Sequence, residues 1–389
     1  MLYSLGIDVG TSGIRAVIMD NKQVIAVQAA VDLKPSIPFH DNSTQQVIGY
    51  SQQPEHWWEA LQTLFRLLSD QFDLTRITHL ALDGTSGTVM LADSQGEPLT
   101  PALMYNDQRA VKEAEVIARA APENTAAMGA ASGLAKVLWL FSHQQTSIRL
   151  PPVRYILNQA DWLLGKLTGQ FGHSDHNNAL KLGYDAIHHC WPKWLLQLDI
   201  PAHCLPEVHP PGKSIATLLP AVAKTFGFRR VVNVCAGTTD STAAIIASGA
   251  SSPGTAVTSL GSSLVMKVIA EKPVFAPQYG VYSQPLRSHW LVGGASNSGG
   301  EVLKSFFTIQ QMELMTGELM QQINNGIFTF MNLNYYPLID PGERFPIPDP
   351  QLPPRLQPRP ESNTLFFQAL LEGMADIETL SYQRLLELG

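Results

Sequence analysis

Two similar turns, rich in glycine and hydroxyl side chains, lie in the two halves of this chain and constrain its fold more than any other feature. The first turn has the sequence Ile-Asp-Val-Gly-Thr-Ser-Gly at residues 7–13, and the second has Thr-Ser-Leu-Gly-Ser-Ser at residues 258–263. Short apolar runs flank both turns, which predicts two β-hairpins with small tips. Two similar hairpins that open two halves of one chain favour a duplicated domain over two unrelated turns.

The tips of these hairpins have a composition suited to phosphate. Glycine allows the backbone to approach a ligand closely, and free N–H groups and Ser/Thr hydroxyls bind phosphate oxygens. The same residues also form ordinary turns for local reasons, so either tip alone could be a turn without a ligand. Because the motif occurs twice, we expect the two tips to face each other and to clamp a polyphosphate.

Length and composition favour two domains and disfavour a nucleic-acid partner. The chain has 389 residues, of which 45% are hydrophobic, and this is enough for two cores. We place the domains at residues 1–249 and 250–389. The 33 acidic residues exceed the 26 lysines and arginines, the net charge is −7, and no cationic run could follow a nucleic-acid backbone.

The cellular environment is also indicated by composition. The N-terminus lacks the basic segment of a secretory signal, and no apolar run reaches the roughly 18 residues of a membrane span. We therefore expect a soluble, cytoplasmic protein without a membrane partner. The cysteines form no C-x-x-C pair, and the His/Cys clusters at residues 188–190 and 203–204 match the spacing of no common zinc site.

Alternating periodicities predict an α/β fold with a mixed sheet. Helical spacing predicts a helix over residues 55–69. Its apolar face carries Trp57, Leu61, Leu64, Phe65 and Leu68. A mostly buried strand at residues 77–83 precedes a short loop and a return strand at residues 89–93, and residues 101–184 have a largely helical pattern.

The second half of the chain continues the alternation. Residues 231–235 predict a strand, residues 236–239 a tight loop, and Asp240 the start of a helix. Residues 336–360 are dense in proline and predict an extended loop. A last helix is predicted over residues 364–388.

Two aspartates are candidates for phosphate-transfer chemistry. Transfer to a hydroxyl needs a carboxylate that holds Mg²⁺ and a carboxylate that receives the proton of the attacking hydroxyl. Asp8 at the end of the first strand and Asp240 after the Gly-Thr-Thr loop fit these needs, although Asp240 could equally be a helix N-cap and Asp8 a turn residue. Spacing alone does not rank the further candidates Asp83, Asp107, Asp161 and Asp175.

Five longer stretches, spread over essentially the whole chain, share a pattern with one protein family. They are residues 6–12, 105–109, 159–163, 235–241 and 293–300. In that order they resemble the FGGY family of carbohydrate kinases. The resemblance implies the two-domain actin-like ATPase fold of sugar kinases, Hsp70 and actin, with ribonuclease H-like mixed sheets and an interdomain cleft. It also implies transfer of the γ-phosphate of ATP to a sugar hydroxyl.

A second set of stretches narrows the resemblance within the family. They are residues 83–88, 177–184, 258–262, 280–283 and 342–346. They are similar to the D-ribulose kinase group of cyanobacteria and plants, whereas bacterial xylulose kinases have a Met-His pair where this chain has Ser86 and Gly87. The resemblance implies conversion of D-ribulose to D-ribulose 5-phosphate, with a xylulose kinase or another FGGY sugar or polyol kinase as the alternative.

The resemblance also implies roles for individual residues. Asp240 resembles the catalytic base and Asp8 a residue at the Mg²⁺-phosphate end of the site, and both are expected to bind the metal. The implied sugar ligands are Asp8, Ser86, Asn106, Asp107 and Asp240. The implied ATP ligands are Gly10, Thr11, Ser12, Gly261, Ser262, Gly293 and Gly294. The expected cofactors and partners are ATP, Mg²⁺ and a ketopentose, in a monomer or homodimer.

The chain departs from the family pattern at its C-terminus. Family members continue into a strand and a Gly-Gly-Gly-Ala-Lys-Asn type loop that packs on the adenosine, and this chain ends at Gly389 before that loop. We expect either an incomplete copy of a longer protein or a catalytically weakened sugar-binding relative without the adenosine-binding segment. A filament- or chaperone-type ATPase fits less well, because the insert at residues 101–184 suits a sugar pocket better than a polymer contact.

Overall fold

Strands and helices alternate through the residues that the computed structural model describes, which are 2–41, 43–144, 151–229 and 231–389. The elements up to residue 144 are β1 (Tyr3–Val9), β2 (Gly13–Asp20), β3 (Ile25–Asp32), β4 (Ile37–His40), β5 (Val47–Gln52), α1 (Pro54–Ser69), β6 (Ile77–Gly84), β7 (Val89–Ala92), β8 (Ala102–Leu103), α2 (Val111–Ala120) and α3 (Gly133–Gln144). The next elements are β9 (Tyr155–Asn158), α4 (Gln159–Thr168), β10 (His173–Asp175), α5 (His176–Leu180), β11 (Glu207–His209), β12 (Ser214–Thr217), α6 (Pro220–Phe226), β13 (Asn233–Thr239) and α7 (Asp240–Ala247). Internal contacts divide the chain into two units, Met1–Ala247 and Ser248–Gly389, and their boundary lies close to Gly249.

The main sheet of the first unit is built around β1, which pairs along both edges. β2 runs antiparallel to β1 across the first tip, and β6 runs parallel to it on the other side. The six-stranded sheet has the order β12-β13-β6-β1-β2-β3 and contains both parallel and antiparallel pairs. The first hairpin and the mixed sheet predicted from the sequence are therefore confirmed.

Helix α1 packs against β2 and β3 of this sheet. The five side chains of its predicted apolar face are all 0% exposed, as the helical spacing of the sequence predicted. Phe65 extends the contact, since its ring meets the rings of Phe226 and Phe228 edge-on at centroid distances of 5.3 and 5.1 Å. Each large apolar side chain buried in this way stabilises the fold by about 1.5–3 kcal/mol.

Strand β7 belongs to a second sheet of five strands, with the order β4-β5-β8-β7-β9. Among the described residues it pairs with β8 and β9, so the hairpin predicted for residues 77–93 is wrong. Met90 and Ala92 pack in the core beneath the main sheet, while Val89 and Leu91 pack in another core. Because both faces of β7 are buried, its sequence lacks the alternation that would have indicated its partners.

The prediction that residues 101–184 are largely helical is only partly right. Helices α2, α3, α4 and α5 lie in this region, but so do the strands β8, β9 and β10. These strands are two to four residues long. Their length is too short for periodicity to separate them from neighbouring helices.

Strand β13 continues through residues 236–239, which the sequence predicted as a tight loop, and α7 begins directly after it. The register between β13 and β6 shifts between Cys235 and Thr238, which marks a β-bulge. A Cβ atom added to Gly237 would lie 1.7 Å from the carbonyl oxygen of Leu82. Gly237 is therefore required by the close approach of two strands rather than by a turn.

The second unit contains a four-stranded antiparallel sheet and a long final helix. Its elements are β14 (Ala256–Leu260), β15 (Leu264–Ala270), β16 (Tyr282–Leu286), β17 (His289–Ser296), α8 (Gly300–Phe306), α9 (Ile309–Asn324) and α10 (Asn363–Leu388). The sheet order is β14-β15-β17-β16, and α10 packs on β15 and β17. The second hairpin, the extended loop over residues 336–360 and the last helix are confirmed.

No helix among the described residues has the length and apolar character needed to cross a lipid bilayer. The longest of them, α10, has 26 residues and carries charged side chains along its length. These charged side chains are Glu372, Asp376, Glu378, Arg384 and Glu387.

The substitution Gly237→Ala should destabilise the first unit, because the new methyl group would overlap the carbonyl of Leu82. Overpacking of this kind costs about 1–3 kcal/mol in the free energy of unfolding. Gly6→Ala is the matched control, since a Cβ at Gly6 in β1 meets no atom within 4 Å. Urea unfolding of both variants measures the difference, and equal stabilities would contradict the packing at the bulge.

Candidate active site

Asp8 and Asp83 lie side by side on neighbouring strands of the main sheet. β1 and β6 run parallel, and Asp8 is the register partner of Asp83, so both side chains lie on the same face. Burial raises the pKa of Asp83 to about 8, and the nearby carboxylates of Asp8, Asp240 and Asp175 add to this shift. Asp83 is therefore mostly protonated at neutral pH, which reduces the repulsion between the two side chains.

Asp240 lies near this pair because it directly follows β13, which pairs with the other edge of β6. Thr239 pairs with Gly84, the residue directly after Asp83. The structure makes Asp240 the first residue of α7, rather than the N-cap that the sequence offered as the alternative. The carboxylate of Asp240 accepts a hydrogen bond of 2.6 Å from the backbone N–H of Ser241. We call Asp8, Asp83 and Asp240 the aspartate cluster.

The first tip, which includes Gly10, Thr11 and Ser12, is anchored through its carbonyl groups. Gln52 Nε2 donates to the carbonyl of Thr11 at 2.9 Å, and the N–H of Leu33 donates to that of Ser12 at 2.8 Å. The N–H of Gly10 donates to the carbonyl of Gly13 across the tip at 3.0 Å. Ser12 remains exposed at the tip. This arrangement fixes a short, hydroxyl-bearing tip at the end of the strand that carries Asp8.

Ser86 lies in the loop that follows Asp83, and this loop is held by Gln159. Gln159 Oε1 accepts hydrogen bonds from the N–H of Thr85 at 3.0 Å and from its hydroxyl at 2.8 Å. The Thr85 hydroxyl is also 2.6 Å from that of Thr88. Gly87 has a φ of +83°, a left-handed conformation that favours glycine. The structure therefore keeps Ser86 on a fixed loop next to the aspartate cluster.

Asn106 and Asp107 are in different environments although they are adjacent in sequence. Asn106 is exposed, whereas Asp107 is 0% exposed. The carboxylate of Asp107 accepts from Arg109 Nη2 at 2.7 Å and from Arg109 Nε at 2.9 Å. The guanidinium of Arg109 lies 3.8 Å from the ring centroid of Phe39. Asp107 is thus engaged in a buried ion pair, and its role as a sugar ligand stays a prediction.

The second tip, in the second unit, is anchored by the start of α8. The N–H of Gly300 donates to the carbonyl of Gly261 at 2.7 Å, and the N–H of Glu301 donates to that of Ser262 at 3.3 Å. Gly261 and Ser262 are both exposed. Like the first tip, this one is held through its carbonyl groups while its hydroxyl-bearing residues face solvent.

Gly293 and Gly294 are buried within β17. A Cβ at Gly293 would lie 2.2 Å from the carbonyl oxygen of Met266, and a Cβ at Gly294 would lie 2.5 Å from the ring of Phe345. Close packing therefore explains why glycine is needed at both positions, and their proximity to a nucleotide stays a prediction.

Arg344 is a cation near the second tip that the sequence analysis did not assign. Arg344 Nη2 donates to the hydroxyl of Ser263 at 3.4 Å. The preceding residue, Glu343, is buried and accepts hydrogen bonds from the N–H of Asn297 at 2.8 Å and from the hydroxyl of Tyr336 at 2.9 Å. The motif around residues 342–346 was therefore informative, but only the fold shows that it reaches the tip.

The aspartate cluster has the chemistry of a magnesium site. Mg²⁺ prefers hard oxygen ligands such as carboxylates, and three carboxyl groups converge here. A bound cation would also relieve the repulsion that raises the pKa of Asp83. The two predicted metal ligands, Asp8 and Asp240, both belong to the cluster, while the sequence listed Asp83 without ranking it.

His173, Glu207 and His209 form another group of metal-type ligands among the described residues, and it is separate from the His/Cys clusters noted in the sequence. Lys213 Nζ lies 3.1 Å from His209 Nδ1, and His209 Nε2 lies 3.0 Å from His173 Nδ1. Because an ammonium group only donates, His209 Nδ1 accepts and Nε2 carries the proton directed at His173. This chain of hydrogen bonds occupies the ring nitrogens and opposes metal binding there.

The protonation of Asp83 predicts a pH dependence of stability. A raised pKa contributes stability that is fully present below the ordinary pKa of 3.8 and is lost as the pH rises through about 8. The wild type should therefore lose stability relative to Asp83→Asn between about pH 4 and about pH 8. Chemical unfolding of both proteins over a pH series measures this difference. A difference that is the same at every pH would show that Asp83 is not a protonated acid in the folded protein.

A family model matches most of the first unit. The model for the FGGY family of carbohydrate kinases, N-terminal domain, matches residues 3–247. The xylulose kinase of Escherichia coli (strain K12) is 27% identical over 284 residues, which cover 72% of this chain and 57% of that protein. The chain thus spans little more than half the length of the relatives of this kind that it matches.

Solved structures share the fold over nearly the whole chain. The ligand-bound xylulose kinase of Lactobacillus acidophilus has a TM-score of 0.80 at 20% identity and covers 99% of this chain, with 78% of its own chain matched. The glycerol kinase of Plasmodium falciparum, solved with ADP, has a TM-score of 0.78 at 15% identity and covers 100% of this chain, with 79% of its own matched. These similarities confirm the predicted two-domain actin-like ATPase fold. The family model matches more than half of the residues of this chain, and the chain therefore belongs to the FGGY family of carbohydrate kinases.

Proposed function

We propose that this protein transfers the γ-phosphate of ATP to a hydroxyl group of a free ketopentose, with D-ribulose as the substrate and D-ribulose 5-phosphate as the product. The observation that carries the proposal is the aspartate cluster, in which Asp8, Asp83 and Asp240 converge from adjacent strands of one sheet. Family membership supports a carbohydrate as the acceptor. The choice of D-ribulose rests on the sequence stretches around Ser86 and residues 177–184.

In this proposal Asp240 is the general base. Its carboxylate takes the proton of the terminal sugar hydroxyl while the hydroxyl oxygen forms a bond to the γ-phosphorus. The bond between the γ-phosphorus and the β,γ-bridging oxygen breaks, and ADP leaves with that electron pair. Asp8 and Asp83 would hold Mg²⁺ together with Asp240, and the cation would supply positive charge for the phosphate oxygens.

The Ser86 loop would contribute to the choice of sugar. Ser86 offers one hydroxyl that can both donate and accept, and Gln159 fixes the loop through Thr85. A site that bonds a particular sugar hydroxyl rejects an epimer because a polar group then stays unpaired. The exposed Asn106 and the buried Asp107 are further candidates for sugar binding.

The tip of each unit carries residues that would bind phosphate oxygens. In the first unit these are Gly10, Thr11 and Ser12, whose tip follows the strand of Asp8. In the second unit they are Gly261 and Ser262 at the exposed tip, with the guanidinium of Arg344 next to it. Gly293 and Gly294 would act by allowing β17 to pack closely behind that tip.

Asp240→Asn should lower kcat by about 10²- to 10⁴-fold, because the amide cannot take the proton of the attacking hydroxyl. The fold should be kept, since asparagine has the same shape. Asp70→Asn, at the exposed C-cap of α1, is the matched control and should leave kcat unchanged. ADP release with Mg-ATP and D-ribulose measures both variants. Full activity of Asp240→Asn would remove Asp240 as the base.

The substrate itself is tested by ADP release with D-ribulose, D-xylulose, L-ribulose, glycerol and no sugar. We expect kcat/KM to be at least about tenfold higher for D-ribulose than for D-xylulose. The opposite order would support a xylulose kinase, the name of several relatives.

A sugar-binding relative without ATP chemistry is the remaining alternative. It predicts that no sugar is turned over and that only sugar raises thermal stability. ATP at 100 times its Kd would add about 2.7 kcal/mol to the free energy of unfolding if it bound.

A further inference from the structure

Two adjacent asparagines at the start of α5 bond the end of the strand that leads into Asp240. Asn177 Nδ2 donates to the hydroxyl of Thr238 at 2.9 Å. Asn178 Nδ2 donates to the backbone carbonyl of Thr238 at 3.1 Å. Both asparagines are 1% exposed, and Thr238 is 8% exposed, so these bonds are shielded from water. One residue of β13, two positions before Asp240, is thus held by two side chains.

Asp175 fixes the two asparagines in turn. Its Oδ1 accepts from the N–H of Asn177 at 2.8 Å and from the N–H of Asn178 at 3.0 Å, which caps α5. Its Oδ2 accepts from Asn178 Nδ2 at 2.6 Å. Asn178 Nδ2 therefore lies between two acceptors, and a rotated amide would bring its oxygen against both of them. We call Asp175, Asn177 and Asn178 the asparagine clamp.

The clamp bonds β13 just after an interruption in its ladder with β6. The register between β13 and β6 shifts between Cys235 and Thr238, so the regular ladder is interrupted there. Gly237 lies against the carbonyl of Leu82, and α7 begins three residues later at Asp240. Contacts made from outside the ladder therefore add to the pairs Thr238–Asp83 and Thr239–Gly84 in fixing the position of Asp240.

We propose that Asn177 and Asn178 are positioning residues for Asp240, which hold the bulged end of β13 so that its carboxylate stays next to Asp83. This inference rests on the proposed function, in which Asp240 is the base. It also gives a physical role to the side chains of Asn177 and Asn178, to which the proposed function assigns none. The clamp bonds Thr238, so its effect on the site passes through Asp240.

A positioning role predicts a specific kinetic signature. Misplacement of a reacting group by about 1 Å can lower the rate about 10²-fold. Loss of a clamp bond should therefore lower kcat, while KM for the sugar and for Mg-ATP stays within about threefold of the wild type. A purely structural role would lower thermal stability but leave kcat of the folded enzyme unchanged.

Three variants test the clamp in the ADP-release assay with Mg-ATP and D-ribulose. Thr238→Val keeps the shape of the side chain but removes the acceptor for Asn177, and Thr238→Ser keeps that acceptor. We expect kcat to fall about 10- to 100-fold in Thr238→Val and to be within about threefold of the wild type in Thr238→Ser. Asn178→Asp replaces the donor by an acceptor that faces Asp175 and the Thr238 carbonyl, and it should be the more damaging change.

Hydrogen exchange provides a readout that does not need activity. In Thr238→Val and Asn178→Asp the peptide over residues 233–247 should exchange faster than in the wild type, whereas the peptide over residues 3–9 in β1 should not change. Unchanged exchange at residues 233–247 in both variants would overturn the clamp, and so would wild-type kcat in both.

The variant Asp240→Asn distinguishes a failure of the clamp proposal from a failure of the proposed function. An impaired Asp240→Asn with unimpaired clamp variants would overturn the clamp alone. An active Asp240→Asn would overturn Asp240 as the base, and hydrogen exchange would then still report whether the clamp holds β13.

Discussion

The parallel pairing of β1 with β6 places Asp8 and Asp83 next to each other, and the candidate site depends on this contact. Burial, together with the nearby carboxylates of Asp8, Asp240 and Asp175, raises the pKa of Asp83. Arg15 offsets part of the charge, with its Nη1 3.3 Å from Asp8 Oδ2, although this ion pair is exposed. A carboxyl group perturbed in this way is typical of functional sites, and the carboxylates of Asp8 and Asp240 lie near Asp83.

Buried amide side chains hold the segments around the aspartate cluster in place. Gln52 holds the first tip, Gln159 holds the loop of Ser86, and Asn178 holds the end of β13. Tips and bulges lack a regular ladder of backbone hydrogen bonds, so their position has to come from other contacts. Hydrogen bonds in a buried environment are stronger than those in water, which makes such side chains effective anchors.

The second unit anchors its tip with a different set of residues. The short helix α8 supplies N–H groups to the carbonyls of the tip, and the buried carboxylate of Glu343 ties the extended loop to the turn after β17. Burial and the neighbouring Glu343 raise the pKa of Tyr336 above its ordinary value, so this phenol remains a hydrogen-bond donor. Both units therefore combine an exposed tip with a rigid support.

The sequence by itself determined the features that depend on local pattern. These are the two hairpins, the buried face of α1 and the final helix, and the sequence also named Asp8 and Asp240 as candidate carboxylates. Only the tertiary structure decided that Asp83 joins them, that Asp107 pairs with Arg109, and that β7 belongs to another sheet. Periodicity reports whether a residue is buried, but strand order and register depend on contacts between residues far apart in the chain. Those long-range contacts select, among aspartates of similar sequence context, the three that form the cluster.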